Sequence, residues 1–313
     1  LIGESLVEIK KIAENVYNVI IPQHLCKGME ARNYQADSAV LMEDPLWDKG
    51  RKIKPASPLE KNGYYENGIY VYKIKFDIDE SVLSKLSNKI LGLVGFSDYA
   101  VMTINGDYIA SGYHYIEGDV DKSLREGINE LTVILESTGH PNDGFLYVPN
   151  GIYTGIYLGK KQDIPLNTWY KIDAKLSIGP DFDFAEFLSN PEEIMRILSK
   201  IDSYEKKLVN FIDAQGLYIT EIQIYNPRHY YIFDPSDAFY YNHYGRILLF
   251  INDVYIGPVI GPIDITKYLK PGVNRIALFV EWGVISPLIR VFEHKIDGEW
   301  YVQEGTKGLI DIW

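Results

Sequence analysis

The chain has 313 residues, 46% hydrophobic and 24% charged, which is room for two ordinary domains or one large all-β domain. A formal net charge of −12 argues against nucleic acid as a partner, because such binders need a basic face. The single cysteine, Cys26, excludes an internal disulfide and any cysteine-based zinc site. No apolar run approaches the roughly 18 residues of a membrane span, so a soluble chain without a transmembrane segment is expected, cytoplasmic or extracellular.

The opening stretch "LIGESLVEIKK" holds neither a signal-peptide core nor an initiator Met, so the chain reads as a mature or trimmed product. Scarce glutamine beside abundant Lys, Ile and Tyr leans toward a thermophilic source. Residues 1–46 are expected to form an edge strand or to pack between domains.

From there alternating apolar segments dominate. "GIYVYKIKFDI" alternates from Ile69 to Ile78, and "YAVMTI", "NELTVILE", "GIYTGIYLG", "LYITEIQIY", "GRILLFI" and "NRIALFVEW" follow the same rule. Turn residues divide them: Asn105-Gly106, Gly127, Asn150-Gly151, Asn252-Asp253 and Pro271-Gly272. Many short strands at this spacing predict antiparallel sandwiches.

One region departs from the pattern. Asn190 reads as an N-cap, Pro191 as the first helical residue and Glu193 as the partner in a capping box. Ile194, Ile197, Leu198, Ile201, Leu208, Phe211 and Ile212 recur at helical spacing, which predicts a helical insertion over about 181–214. It is one long helix, or two broken near Asp202-Ser203.

The sequence also repeats itself. "DVDKSLREGINELTVILE" (119–136) aligns without a gap on "DITKYLKPGVNRIALFVE" (264–281), 145 residues on. Upstream, "INGDYIASG" from Ile104 aligns on "INDVYIGPV" from Ile251, 147 residues on. Two copies this far apart mean a duplicated domain rather than a solenoid. The expected fold is all-β: two tandem antiparallel β-sandwiches of jelly-roll type, at 47–160 and 161–313, the second carrying the insertion.

These stretches carry a family resemblance. "INGDYIASG…LREGINELTVILES" is similar to galactose-binding-like jelly rolls. More specifically, "SPLEKNGYYENGIYVYKIKF", "ESTGHPNDGFLYVPNGIYTGIYLG", "PLNTWYKIDAKL" and "FVEWGVISPLIRV" resemble, in order, the C-terminal jelly-roll region of glycoside hydrolase family 35 β-galactosidases. The resemblance covers about Ser57 to Val291. It implies accessory sandwiches linked to β-galactosides. It transfers no catalytic residues, since the alternating strand–helix pattern of the family's catalytic barrel is missing from this sequence.

The candidate chemistry is therefore binding. Ring faces cover the C–H side of a sugar while polar groups fix its hydroxyls. Tyr113, His114, Tyr115 and Glu117, in a loop "GYHYIEG", with His140, Asn142, Asp143 and Tyr147 in "HPNDGFLY", form the candidate carbohydrate site; packing between domains is the alternative. Tyr230, Tyr231, Tyr240, Tyr241, His243 and Tyr244 form a second aromatic region, read as an interface. No cofactor is expected. Asp98, Asp119 and Asp121 are candidate ligands for a structural calcium, with no motif to fix the site. Paired acids at Asp119 and Asp121, or at Asp181, Asp183 and Glu186, read as solvated or capping groups rather than a glycosidase pair. Glu281, beside Trp282, has a counterpart in Glu136, and so reads as a strand-end acid.

Three functions follow as expectations. The chain is a non-catalytic carbohydrate-binding or accessory module that docks a catalytic glycosidase barrel or subunit. It is a structural protein that forms homo-oligomers through its aromatic loops and helix. Or it is the C-terminal fragment of a complete β-galactosidase.

Overall fold

The structure is a computed structural model that describes residues 8–13, 16–20, 39–41, 50–137, 149–174, 191–210, 212, 215–235, 247–281 and 285–305. Near the N-terminus β1 (Glu8–Ala13), β2 (Val16–Ile20) and β3 (Ala39–Leu41) pair antiparallel as a three-stranded sheet. Next come β4 (Arg51–Ile53), β5 (Gly68–Ile78), the one-turn helix α1 (Glu80–Leu83), β6 (Ile90–Ile104), β7 (Asp107–Asp119), β8 (Gly127–Ser137) and β9 (Ile152–Leu158).

The second half contains β10 (Gln162–Pro165), β11 (Trp169–Ile172), helix α2 (Glu192–Leu198), β12 (Lys206–Val209) and β13 (Gly216–Ile224). It continues with β14 (Tyr230–Asp234), β15 (Ile247–Ile251), β16 (Val254–Pro258), β17 (Ile263–Asp264), β18 (Gly272–Val280) and β19 (Leu288–Phe292). Two last strands, β20 (His294–Lys295) and β21 (Glu299–Glu304), complete the described chain.

All these pairings are antiparallel, as the alternating pattern predicts. The first half forms a curled sheet in the order β20-β9-β6-β8-β5-β21-β4, with β7 also on β6. Its inner face is apolar: Tyr70, Tyr72 and Ile74 meet Ala100, Met102 and Ile104, Leu131, Val133 and Leu135, and Trp300 in one core. Strand β6 makes the curl. Leu91–Phe96 pair with β9, Tyr99–Ile104 pair with β8, and the register breaks between them. At the break Gly95 and Asp98 take positive φ of 64° and 57°. A Cβ on Gly95 would stand 2.0 Å from Thr154 Oγ1, so only glycine fits there.

The second sandwich packs a six-stranded sheet, β12-β11-β13-β18-β15-β16, against a four-stranded one, β10-β19-β14-β17. Ile276, Leu278 and Val280 of β18 face the core between them, with Tyr218, Leu249, Phe233 and Ile289. Alternation sends Ala277 and Phe279 to the outer face, where α2 covers them with Ile194, Ile197 and Leu198.

Three expectations are corrected here. Among the described residues of the insertion the helical part is short: α2, then a single 3-10 turn at Ile201–Ser203, after which Lys206–Val209 pairs with β11 as a strand. Leu208, counted in the helical stripe, is 56% exposed on that strand. A short strand can carry apolar residues at helical spacing by coincidence, and a neighbouring strand with unpaired groups decides the outcome. Pro191, read as the first helical residue, itself occupies the N-cap, without a side-chain cap; Asn190 lies outside the described residues. Finally, the C-terminal strands do not stay in the second sandwich. Glu299–Glu304 pair with β5 and β4, and His294–Lys295 with β9, which places residues 294–304 in the first sheet although the division at 161–313 assigned them to the second.

The repeat is exact in its hydrogen bonds. In the first copy Asn129, fully buried, accepts from Asn105 Nδ2 (2.8 Å) and Arg125 N (3.0 Å), and its own amide donates to Arg125 O and Gly127 O. In the second, fully buried Asn274 accepts from Asn252 Nδ2 (2.9 Å) and Lys270 N (2.9 Å), and donates to Lys270 O and Gly272 O. Asn105 and Asn252 both sit in the left-handed region at φ 49°, and each accepts the backbone N–H of the residue after the buried Asn. Asp119 Oδ1 takes Asp121 N as Asp264 Oδ1 takes Thr266 N. Asn suits both posts because it tolerates positive φ and offers a donor and an acceptor on one short side chain.

Candidate functional site

Tyr113, His114, Tyr115 and Glu117, expected on a loop, lie on strand β7. The glycine and the aromatics that suggested a loop mark an irregularity instead: His114 has φ +60° and sits opposite the break in β6. The irregularity divides the four residues between two sites.

Tyr113 faces outward, 64% exposed. Its register partner is Tyr99, and Tyr99's partner on the other side is Glu136 of β8, so the three side chains form a row across three strands. The Tyr99 and Tyr113 rings meet edge-to-face, centroids 5.0 Å apart. Tyr108, 41% exposed, and Ser111 hydrogen-bond to one another beside this row. Burial, and next the charge of Asp98, push the half-buried Glu136 carboxyl above its ordinary pKa. Tyr113 is raised too, by burial first and then by Glu136 and Asp98. Burial holds His114 down, so the imidazole stays neutral more readily than in water, while a hydrogen bond with the Phe96 backbone and the charges of Asp98 and Asp234 oppose that shift.

Tyr115 and Glu117 turn the other way, into a charged cluster shared with the second sandwich. Tyr115 donates to Glu117, and the Arg290 guanidinium lies 3.8 Å from the Tyr115 ring centroid. Arg290 is held by Asp234 (Nε to Oδ2, 2.6 Å) and Asp163 (3.0 Å), and Lys161 bridges Glu117 (3.0 Å) and Asp163 (3.2 Å). Burial alone would raise the Glu117 pKa, but hydrogen bonds from Tyr115 and Lys161 and the two cations outweigh it, and the carboxyl sits below its ordinary value. These acids are spoken for by cations, a structural arrangement that joins the sandwiches. Below it Val94 and Tyr157 pack against Ile232 and Phe292, with Tyr115 and Tyr230 at the edge. The Tyr157 hydroxyl donates to Asp264 (3.1 Å).

Of the aromatic region read as an interface, Tyr230 stands 6.1 Å from Tyr157 and Tyr231 is buried, its hydroxyl donating to Asn226 O. Tyr240, Tyr241, His243 and Tyr244 lie outside the described residues, as do His140, Asn142, Asp143 and Tyr147. The candidate calcium ligands do not assemble: among the described residues no three His, Cys, Asp or Glu side chains gather to hold a metal. Asp119 is used by its turn, Asp121 pairs with Lys89 at 2.6 Å, and Asp98, next to Tyr99, acts on Glu136 through its charge.

Sequence reading missed Tyr99 and Glu136 as members of the row with Tyr113, and Asp163, Lys161, Asp234 and Arg290 as the cluster around Tyr115 and Glu117. Tyr99 was legible once the strand alternation was followed; the charged partners lie up to 175 residues from Tyr115 in sequence and had no local signal. A shallow groove of about 440 Å³ lies between the 3-10 turn after α2 and the β15–β16 turn, lined in part by Asp202, Asp253 and Arg275, the last two ion-paired at 3.1 Å.

No protein-family model matches the sequence, and no curated protein does. Solved structures do match. They include an alpha-L-rhamnosidase of Streptomyces avermitilis complexed with L-rhamnose, at 13% identity over 81% of this chain and 27% of that one, TM-score 0.24. A beta-D-mannosidase of Dictyoglomus thermophilum matches at 15% over 79% and 29%, TM-score 0.30. A family 2 beta-galacturonidase of Eisenbergiella tayi bound to glycerol matches at 13% over 90% and 42%, TM-score 0.26. The chain spans less than half the length of each of these proteins, and at such scores neither their activities nor their ligands carry over to it. Among the described residues no helix is long and apolar enough to cross a membrane.

Proposed function

We propose that the chain is a non-catalytic accessory module of a glycoside hydrolase of the β-galactosidase type, and that it binds carbohydrate on the outer face of the first sandwich. The observation that carries this is the exposed Tyr113 ring, propped edge-on by Tyr99 and continued by Glu136 on the next strand. A pyranose can lay its apolar face on such a ring while a carboxyl, a serine hydroxyl and an imidazole beside it meet the sugar's hydroxyls. The family 35 resemblance of the sequence motifs supports the association with β-galactosides.

A glycan array probed with the whole chain tests the reading. Binding to at least one saccharide is expected, falling at least tenfold in Tyr113→Ala with the unfolding curve unchanged. Hydrolysis of a chromogenic β-galactoside by the purified chain would overturn the non-catalytic part.

A second reading, assembly into oligomers, has its own observation. Tyr170 and Leu208 are register partners on β11 and β12, 43% and 56% exposed. Light scattering that finds a stable oligomer, together with a blank glycan array, favours it.

A further inference from the structure

Resting on the carbohydrate reading, we infer that the Tyr113–Tyr99–Glu136 row selects an amino sugar, a pyranose bearing an ammonium group, over neutral and acidic sugars. The three residues are adjacent on neighbouring strands, and two strand spacings put the ends of the row about 10 Å apart at the backbone. That is longer than one pyranose ring, so two linked units cover the row. With one ring's C–H face on Tyr113, the amino substituent of the next unit falls at Glu136.

The electrostatics at that end call for a cation. Glu136 is half-buried, and the two influences on it, burial and the Asp98 carboxylate, both disfavour its charge. An ammonium group would reverse that balance, offsetting two acids at once in a partly desolvated setting where a charge-assisted hydrogen bond is stronger than on open surface. The neutral-leaning His114 supplies no opposing cation. A uronic acid would bring a third negative charge to the same spot, on a chain whose net charge is already −12. The register sharpens the point: Glu136 faces Tyr99 on one neighbouring strand and Ile69 on the other. Neither is a cation, which leaves the cation to come from the ligand.

Calorimetric titration of the whole chain tests this with four probes: a β-1,4 glucosamine oligosaccharide, its fully N-acetylated form, a galacto-oligosaccharide and an oligogalacturonate. The expected order is glucosamine at least tenfold tighter than its N-acetylated form, and the oligogalacturonate weakest. Glu136→Gln is expected to abolish the difference between glucosamine and its N-acetylated form when both are measured on that variant, and raised salt to weaken glucosamine alone. Equal affinity for the amino and N-acetylated forms, or a preference that survives Glu136→Gln, overturns the inference and leaves carbohydrate binding standing. Absence of binding to all four, at millimolar concentrations and with a blank array, overturns both.

Discussion

The two sandwiches share one hairpin lock and build different things on it. Around Asn129 and Asn274 the hydrogen bonds agree atom for atom. Just beyond, the charges invert. Glu130, after the first Asn, pairs with Lys73 at 3.1 Å and with Lys75 at 3.7 Å, whereas Arg275, after the second, pairs with Asp253. The outer faces diverge further: α2 covers Ala277 and Phe279 of the second sandwich, while Tyr113 stays open on the first. A buried polar network tolerates no partial substitution, because each group left unpaired costs its desolvation. Surface pairs exchange freely because they contribute little. The lock thus marks what the duplicated fold requires, and the faces mark where the copies were free to specialise.

The sharpest way to break this picture is at the join. Arg290 and Asp234 form a buried pair, with side chains 12% and 6% exposed. Arg290→Leu leaves Asp234 without that cation and removes the stacking on Tyr115, so a loss of about 3–5 kcal/mol is expected by urea unfolding. A loss under about 1 kcal/mol would mean the sandwiches are held by their apolar contact alone.

Next come the locks. Asn129→Ala and Asn274→Ala each remove four hydrogen bonds and strand buried backbone groups, for an expected loss of about 2–3 kcal/mol apiece. Similar losses confirm that the copies are equivalent at this point; a neutral Asn274→Ala would end the equivalence.

The smallest effect separates the faces. Glu136 has a folded pKa above its ordinary 4.5, so the folded state binds the proton more tightly than the unfolded one. Its contribution therefore erodes stability as pH rises from the ordinary value through the raised one, and adds nothing below both. Glu136→Gln is expected to match the parent chain below that window and to exceed it in stability above. Parallel pH–stability curves for the two chains would show that Glu136 ionises unhindered.

Much of this was legible in order along the chain. Alternation marked many of the strands between Ile69 and Glu281; along β18 it puts Ile276, Leu278 and Val280 on one face, which the structure turns into the core, opposite Ala277 and Phe279. The 145-residue offset aligns Asn129 with Asn274; their burial and hydrogen bonds come from the structure. Period-two patterning and turn chemistry are local, and a half-buried strand writes them directly into its residues.

Contacts between distant segments left no such trace. Nothing near Leu208 announces that Lys206–Val209 will add to β11 rather than extend a helix. Nothing near Glu299 says that it will return to β5, 224 residues back at Lys75. The division of "GYHYIEG" between an open tyrosine row and a closed charged cluster depends on one left-handed residue, His114, and on a guanidinium that arrives from β19. Sequence determined the strands, their faces and the duplicated lock, because those follow from the preferences of neighbouring residues. Tertiary structure decided which tyrosine stayed exposed and which acid lacked a cation on the next strand, because both depend on what else the fold brings alongside.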